Sequence, residues 1–340
     1  MSKKVSIALC GFGRIGQVHL ESLLHHPDVA VTAIVDVDFE RVKAKADSLG
    51  VAAFKTMGEL LGDGKVKVDG VLICTPTSTH VDYIRQALLA GKQVMCEKPI
   101  SNSIQEVDEL YTLAKEKGLH LLCGFHRRYD PNFAKLKDVV SSGTVGKLLK
   151  VRSISRDNPL HVSVEYLKVS GGIIADTASH DIDMVRHITG EDPVTVYATG
   201  SASNPAIAAI PDHDQLDMIF TFPSGVIAAI DISRTAAYGY DQRLEILAEK
   251  GSVVVDNQKQ TTVVVGLIDG FKSEPPCFSF PERYKEAYRT EVGHFVDLVK
   301  GTAKEARLSH KDVHNITAIL KACQQSLKEG VPVKLSKELI

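Results

Sequence analysis

The residues between Gly171 and Gly190, GGIIADTASHDIDMVRHITG, have types and spacing that can move a proton. Asp176 and His180 stand four apart. On a helix over residues 175–189, with each residue advancing about 100°, they share one face with Asp183 and His187. Ala178, Ile182 and Val185 fall roughly opposite and read as the buried side, while Asp181 lands nearer that apolar side and sorts with neither set cleanly. Gly190 stands where a helix C-cap glycine belongs. An imidazole titrates near neutral pH, so it can take a proton from a hydroxyl while a neighbouring carboxylate orients it. A solvated polar face on an ordinary helix has the same pattern, so the rest of the chain must decide. A second chemical signal is Lys98, between Glu97 and Pro99. Pro99 biases Lys98 toward extended backbone. An ammonium at the end of a strand can polarise a carbonyl or stabilise an alkoxide, although lysine there is more often a solvated charge.

The elements that must carry these groups can be read in order. Residues 5–10, VSIALC, form a nearly continuous apolar run, the mark of a buried parallel strand. Gly11-Phe12-Gly13-Arg14-Ile15-Gly16 follows, and residues 14–25 read as a helix. The first glycine suits a tight turn, the second a close approach of backbone to a pyrophosphate, the third close helix–strand packing. A helix N-terminus offers free N–H groups to phosphates. A second strand, residues 29–35, ends at Asp36, where a ribose-binding carboxylate belongs. Asp36 would accept hydrogen bonds from the ribose hydroxyls and repel a 2′-phosphate, so NAD is expected and NADP is less favoured; Arg41 could soften that preference.

Strand and helix go on alternating. A strand over residues 68–74 ends in Thr75-Pro76-Thr77, at the sheet edge where such folds bind ligands, with Ser78 or Thr79 as cap of the next helix. Strands at 93–96 and 119–123 lead to Glu97-Lys98-Pro99 and to GFHRRYDP. The expected fold is α/β: a Rossmann doubly wound parallel sheet over residues 1–125, then an α+β domain over 126–340 with a large, mainly antiparallel open sheet. In the second part Leu216, Met218, Phe220 and Phe222 alternate with more polar positions, and hairpin signals recur at PSG and EKG. A strand is expected at 261–265, and helices at 284–300 and 313–328. An antiparallel sheet often leaves one face open, and such a face can bind its own copy; a homo-oligomer, dimer or tetramer, is expected.

Composition bounds the partners. The chain has 340 residues, 44% hydrophobic and 24% charged, with a net charge of −2, which speaks against nucleic acid or a membrane surface. No apolar run is long enough to span a bilayer, and the apolar start runs into the glycine motif instead of a cleavage site. Six scattered cysteines show no metal spacing, so no metal is expected; they fit a reducing compartment, and cytoplasm is the expected location.

GFGRIG, Asp36, CTPTSTH, EKP, GFHRRYDP and the 171–190 stretch stand in one order along the chain. Together they resemble the glucose–fructose oxidoreductase/inositol dehydrogenase superfamily. RRYDP, SRD, SHDIDM and AAYGYDQRLE look most like its inositol 2-dehydrogenase branch. The resemblance runs from residue 5 to about 330. It implies NAD-dependent oxidation of a secondary alcohol on a cyclic polyol, with Lys98, Asp176 and His180 as catalytic residues. It also implies that Gly11, Phe12, Gly13, Arg14, Ile15 and Asp36 hold the dinucleotide, and that Thr75, Pro76, Thr77, His80, Glu97, Lys98 and Arg127 line its nicotinamide half. A polyol needs many donors and acceptors, which makes Arg127, Asp157, Asp183 and Tyr238 candidates for its hydroxyls beside Asp176 and His180. Each has a plainer reading: Asp157 as a turn former, Arg127 as an ion-pair partner, Tyr238 as a loop aromatic. Two alternatives stay open. One is an NADP-dependent sugar, dihydrodiol or biliverdin-type oxidoreductase, against which Asp36 argues. The other is a non-enzymatic dinucleotide sensor or co-repressor, against which the retention of Lys98, Asp176 and His180 argues.

Overall fold

The structure, a computed structural model, describes residues 4–158 and 163–336. The chain divides into two compact units, the first made of residues up to Tyr129 with Lys285–Thr317, the second of Asp130–Tyr284 with the residues after Thr317. A cut at 125/126 therefore misses two pieces, residues 126–129 and 285–317, that fold with the first unit.

In the first unit the strands are β1 (Val5–Cys10), β2 (Val29–Val35), β3 (Ala52–Phe54), β4 (Gly70–Ile73), β5 (Gln93–Glu97) and β6 (Leu121–Gly124). Between them run α1 (Arg14–His25), α2 (Phe39–Leu49), α3 (Met57–Gly62), α4 (His80–Leu89) and α5 (Ile104–Glu116). The sheet is parallel, in the order β3-β2-β1-β4-β5-β6. Strand order reverses between β1 and β4, which opens a crevice at the carboxyl ends of the strands. All six residues of β1 are buried, as the apolar run requires. The helix Lys285–Lys300 belongs here because its stripe Val292, Phe295 and Val296 joins the core of Ile7, Leu9, Leu20 and Leu23.

The second unit holds α6 (Pro131–Ser141), β7 (Leu148–Arg156), α7 (Val164–Val169) and α8 (Ser179–Thr189). These are followed by β8 (Thr195–Ser201), β9 (Gln215–Thr221), β10 (Ile227–Ser233), β11 (Asp241–Ala248) and β12 (Gly251–Val255). After the hairpin β13 (Val264–Leu267) and β14 (Gly270–Ser273), β15 (Val333–Lys334) completes a seven-stranded sheet in the order β12-β11-β7-β10-β9-β8-β15. Only β7 and β10 pair parallel within it. Leu216, Met218 and Phe220 face inward and are buried, while Asp217 and Ile219 stand exposed on the open face. The strand expected at 261–265 lies instead at Val264–Leu267. It pairs with β14 in a separate two-stranded sheet, because the Ile268-Asp269 turn closes the hairpin locally.

The stretch after Gly171 is not one regular helix. Ile174–Ala178 is a π-helical turn, and α8 begins only at Ser179. Such turns shift the register of side chains and recur at functional sites. α8 is also buried nearly all round, which the wheel did not anticipate: every residue from Asp181 to Arg186 is buried. The partly exposed stripe is Asp176, Thr177, His180 and His187.

Candidate active site

The glycine turn is built by backbone. Gly11 has φ of 90°, and a Cβ there would lie 2.5 Å from the Cys74 carbonyl carbon. A Cβ on Gly16 would lie 2.1 Å from the Gly11 oxygen, so α1 must pack against the turn without one. Gly13 is different: nothing lies within 4 Å of its Cβ position. Its bareness serves no packing inside the protein and leaves backbone open to a phosphate. No side chain caps α1, so its first N–H groups point outward with the positive end of the helix dipole. Phe12 is buried in the core, Ile15 packs against it, and Arg14 is exposed at the first turn. Asp36 closes the far side. Its Oδ2 accepts the Phe12 N–H at 2.6 Å and its Oδ1 that of Asp38 at 2.9 Å. Arg41 reaches Asp36 at 3.4 Å and Asp38 at 3.3 Å. Open backbone, an uncapped helix and a carboxylate at the end of β2 fit a dinucleotide.

Beside it, the 75–79 loop and the end of β5 are braced together. Both ring nitrogens of the buried His80 face carbonyl oxygens, Pro99 at 2.7 Å and Thr75 at 2.8 Å. Burial holds this imidazole below its ordinary pKa, with the two carbonyls pulling the other way. His80 thus spends its polarity inside the protein, and the half-buried Thr75 and Thr77 are left at the edge. Thr79 does not cap α4 with its side chain; its hydroxyl turns back to Thr75 and to the Pro76 carbonyl. Glu97 is likewise committed. Its Oε1 lies 2.6 Å from His19 Nε2 on α1, and its Oε2 accepts the Lys98 N–H at 3.2 Å. Gly124 makes room for this side chain: a Cβ there would meet Glu97 Cα and Cδ at 3.2 Å. Glu97 therefore anchors the backbone of Lys98, which is half-buried and joined to Pro99 by a cis bond.

Behind this anchor lies a group the sequence did not point to. Glu291, on the Lys285–Lys300 helix, is fully buried, and its donor atoms cluster with those of His19 and Glu97. Burial, then the charge of Glu97, pushes its pKa well above the ordinary carboxylate range. Burial there favours its protonated form.

In the second unit, Asp176 is fixed by side chains 10 residues before it and 58 after it. Tyr166 donates to its Oδ1 at 3.0 Å and Arg234 Nη1 to its Oδ2 at 3.4 Å. Arg234 is buried and also donates to Asp212 at 3.0 Å and to the His213 carbonyl at 3.2 Å. Asp212 in turn accepts the Ile173 N–H at 2.8 Å, tying the network to the start of the π turn. Tyr166, Asp212 and Arg234 were not foreseen; the only trace in the sequence is an arginine directly after an apolar strand. His180 follows Asp176 on the same partly exposed stripe.

The other candidates are placed apart from this stripe or are enclosed. Asp183 is fully buried, because α8 is covered on that side too, so the wheel's assignment of it to an open polar face is corrected. Asp181 is buried as well, and accepts from Ser153 at 2.7 Å and Ser155 at 2.6 Å on the helix-covered face of β7. Tyr238 stands on the opposite, open face of the sheet. Its hydroxyl donates to Asp241 at 2.6 Å and accepts from Arg156 at 3.3 Å. Asp157 is half-buried, its N–H bonded to the Ser233 carbonyl at 2.8 Å, just before residues outside the described set. Arg127 is buried in the turn His126–Tyr129 of the first unit.

Comparison with known proteins places the chain in a family. Residues 5–125 match an oxidoreductase family with an NAD-binding Rossmann fold, and residues 133–254 match the GFO/IDH/MocA C-terminal domain. The chain is 38% identical to the myo-inositol 2-dehydrogenase of Thermotoga maritima over 97% of its own length and 98% of that protein. It is 32% identical to a scyllo-inositol 2-dehydrogenase (NAD(+)) of Bacillus subtilis, over 98% and 97% of the two chains. Among solved structures, scyllo-inositol dehydrogenase from Lactobacillus casei with bound NAD(H) and scyllo-inositol superposes with a TM-score of 0.90 at 25% identity, covering 98% of this chain and 99% of that one.

Proposed function

This chain belongs to the GFO/IDH/MocA oxidoreductase family, and from that membership we propose that it oxidises a secondary alcohol of an inositol-type cyclic polyol to the ketone with NAD. The observation that carries the reading is the Asp176 carboxylate, fixed by Tyr166 and Arg234 one turn before a partly exposed His180. His180 takes the hydroxyl proton as general base. Asp176 has both oxygens oriented before substrate arrives, so it can hold a hydroxyl or the imidazole without reorganising. Lys98, its backbone anchored by Glu97 and His19, stabilises negative charge on the substrate oxygen. Gly11, Phe12, Gly13, Arg14, Ile15 and Asp36 would cradle NAD, with Thr75, Pro76, Thr77 and Arg127 toward the nicotinamide; when bound, NAD would supply the hydride acceptor. Asp36 favours NAD over NADP.

The open face of the large sheet supports a homo-oligomer. Ile219, Ile227, Leu247 and Val254 are exposed there, mixed with Arg152, Asp217 and Glu245. Sedimentation at micromolar concentration checks this, and a monomer would remove it. All six cysteines are free and buried, which fits a reducing cytoplasm. Among the described residues, no helix is long and apolar enough to cross a membrane.

The test is the absorbance of reduced nicotinamide, with NAD or NADP, against myo-inositol, scyllo-inositol, D-chiro-inositol, glucose, xylose and a cyclic diol. Reduction of NAD by an inositol is expected. Activity with NADP alone, or on a non-cyclic or aromatic diol alone, would overturn the inositol assignment.

A further inference from the structure

Away from the dinucleotide edge, the first unit brings two imidazoles and a carboxylate together on its surface. The sequence placed the last long helix at 313–328, which leaves His310 outside it. The helix in fact begins at His310, because Ser309 caps it. The Asp312 N–H donates to Ser309 Oγ at 3.1 Å, and the Ser309 N–H and hydroxyl donate to Asp312 Oδ2 at 3.0 and 2.8 Å. This reciprocal cap fixes the first turn, so His310 and His314, four apart, share a face. α5 lays Asp108 against that face. Its Oδ1 accepts from His310 Nε2 at 2.7 Å and from His314 Nδ1 at 2.8 Å. Tyr111, three residues further along α5, stacks on the His310 ring with centroids 4.9 Å apart and planes 10° apart, which orients the imidazole.

We propose that Asp108, His310 and His314 form a binding site for a divalent transition-metal ion of the zinc type. The three donor atoms already lie within 4.8 Å of one another. A tetrahedral ion about 2.0–2.2 Å from each donor sets neighbouring donors about 3.3 Å apart, so the two hydrogen-bonded pairs need open by only about half an ångström. Each imidazole binds through the nitrogen that now donates to Asp108, and its ring proton resides on the other nitrogen, Nδ1 of His310 and Nε2 of His314. Two imidazoles and one carboxylate suit zinc, nickel or copper; magnesium and calcium prefer all-oxygen shells. Side-chain exposures of 39%, 43% and 27% for Asp108, His310 and His314 leave an approach for the ion and room for solvent in the remaining position. Burial raises the Asp108 pKa, but the hydrogen bonds from His314 and His310 outweigh it and hold the carboxylate below its ordinary range, ready to ligate. The ion would clip α5 to the first turn of the 310–329 helix. The buried cluster of His19, Glu97 and Glu291 is a different case, since Glu97 is spent on His19 and the Lys98 amide.

The experiment uses full-length protein without a histidine tag, dialysed against chelator and then metal-free buffer. Zn²⁺ is titrated by calorimetry and Co²⁺ by its visible absorption, on wild type, His310→Ala, His314→Ala, the double variant and, as a control at an exposed histidine elsewhere, His25→Ala. One saturable ion per chain at micromolar Zn²⁺ is expected. Each single ligand variant should weaken binding by at least about tenfold, the double variant should abolish it, and His25→Ala should leave it unchanged. Wild type and His25→Ala should gain thermal stability with Zn²⁺, as linkage requires, and the double variant should gain none. Absence of saturable binding in wild type, or binding that survives in the double variant, overturns the proposal. The substituted side chains are partly exposed, so circular dichroism of each variant should match wild type.

Discussion

The turn Gly11–Gly16 and the stretch Gly171–Gly190 both set polar chemistry beside glycines, yet they are built by opposite means. In the first, the parts lie within about one βαβ unit, and backbone dictates them: a positive φ at Gly11, a Cβ-free contact at Gly16, an open approach at Gly13. Its bond from the Phe12 N–H to Asp36 spans 24 residues. In the second, Asp176 is held by Arg234, 58 residues on, and Asp181 by serines 26 and 28 residues back. A site made by local backbone geometry tolerates little change in its glycines. A site made by distant side chains depends on partners that no local pattern announces.

Catalytic substitutions should separate the two regions most strongly. His180→Ala should lower kcat by about 10²–10⁴-fold, the range for a lost general base. Lys98→Ala should lower it by at least about 100-fold. In both, NAD affinity measured by fluorescence titration should stay near wild type, because the Gly11–Gly16 turn and Asp36 are left untouched. Near-normal turnover in either variant removes that residue from the mechanism.

The positioning network should give a smaller effect. Tyr166→Phe removes one hydrogen bond from Asp176 and leaves the buried arginine in place. A several-fold fall in kcat with unchanged NAD affinity is expected, on the order of the 1 kcal/mol that one such bond contributes. Asp36→Ala should do the reverse, weakening NAD by about tenfold with little change in kcat, and narrowing the preference over NADP. If Asp36→Ala lowers kcat and spares NAD affinity, the division between the two regions is wrong.

These contrasts explain what could be read in the sequence. The parallel sheet was legible because buried strands such as 5–10 are apolar throughout and each is followed by turn chemistry. The alternation at 216–222 likewise announced a sheet with one open face. Asp176 and His180 were legible as residue types. Their geometry was not, because a helical wheel assumes a regular helix with one wet side, while the stretch contains a π turn and α8 is buried almost all round. That is why Asp183 was assigned to a polar face and is in fact enclosed. The 285–300 helix was seen, but nothing in its stripe of Val292, Phe295 and Val296 says which of two cores it covers. Hence neither the return of the chain to the first unit nor Glu291 behind Lys98 could be foreseen.

The smallest effect concerns Glu291 and stability. Its folded pKa is raised by burial and by Glu97, so folding favours the protonated form. Its contribution is fully present below the unfolded carboxylate pKa of about 4.5 and is lost as pH rises toward the folded value. Glu291→Gln keeps the shape without the proton. Urea unfolding should find the variant gaining on wild type as pH rises from about 4 to 9. A constant difference across that range would show that Glu291 is not held neutral.

The central claim is a hydride passed from a ring carbon of an inositol to NAD by this chain. The most direct measurement is mass spectrometry of the reduced nicotinamide formed from myo- or scyllo-inositol deuterated at its ring carbons, with wild type and His180→Ala side by side. Deuterium on the nicotinamide with wild type, and little reduced product with His180→Ala, is the expected result. No reduced nicotinamide from either polyol despite tight NAD binding, or reduced product without deuterium, would contradict it.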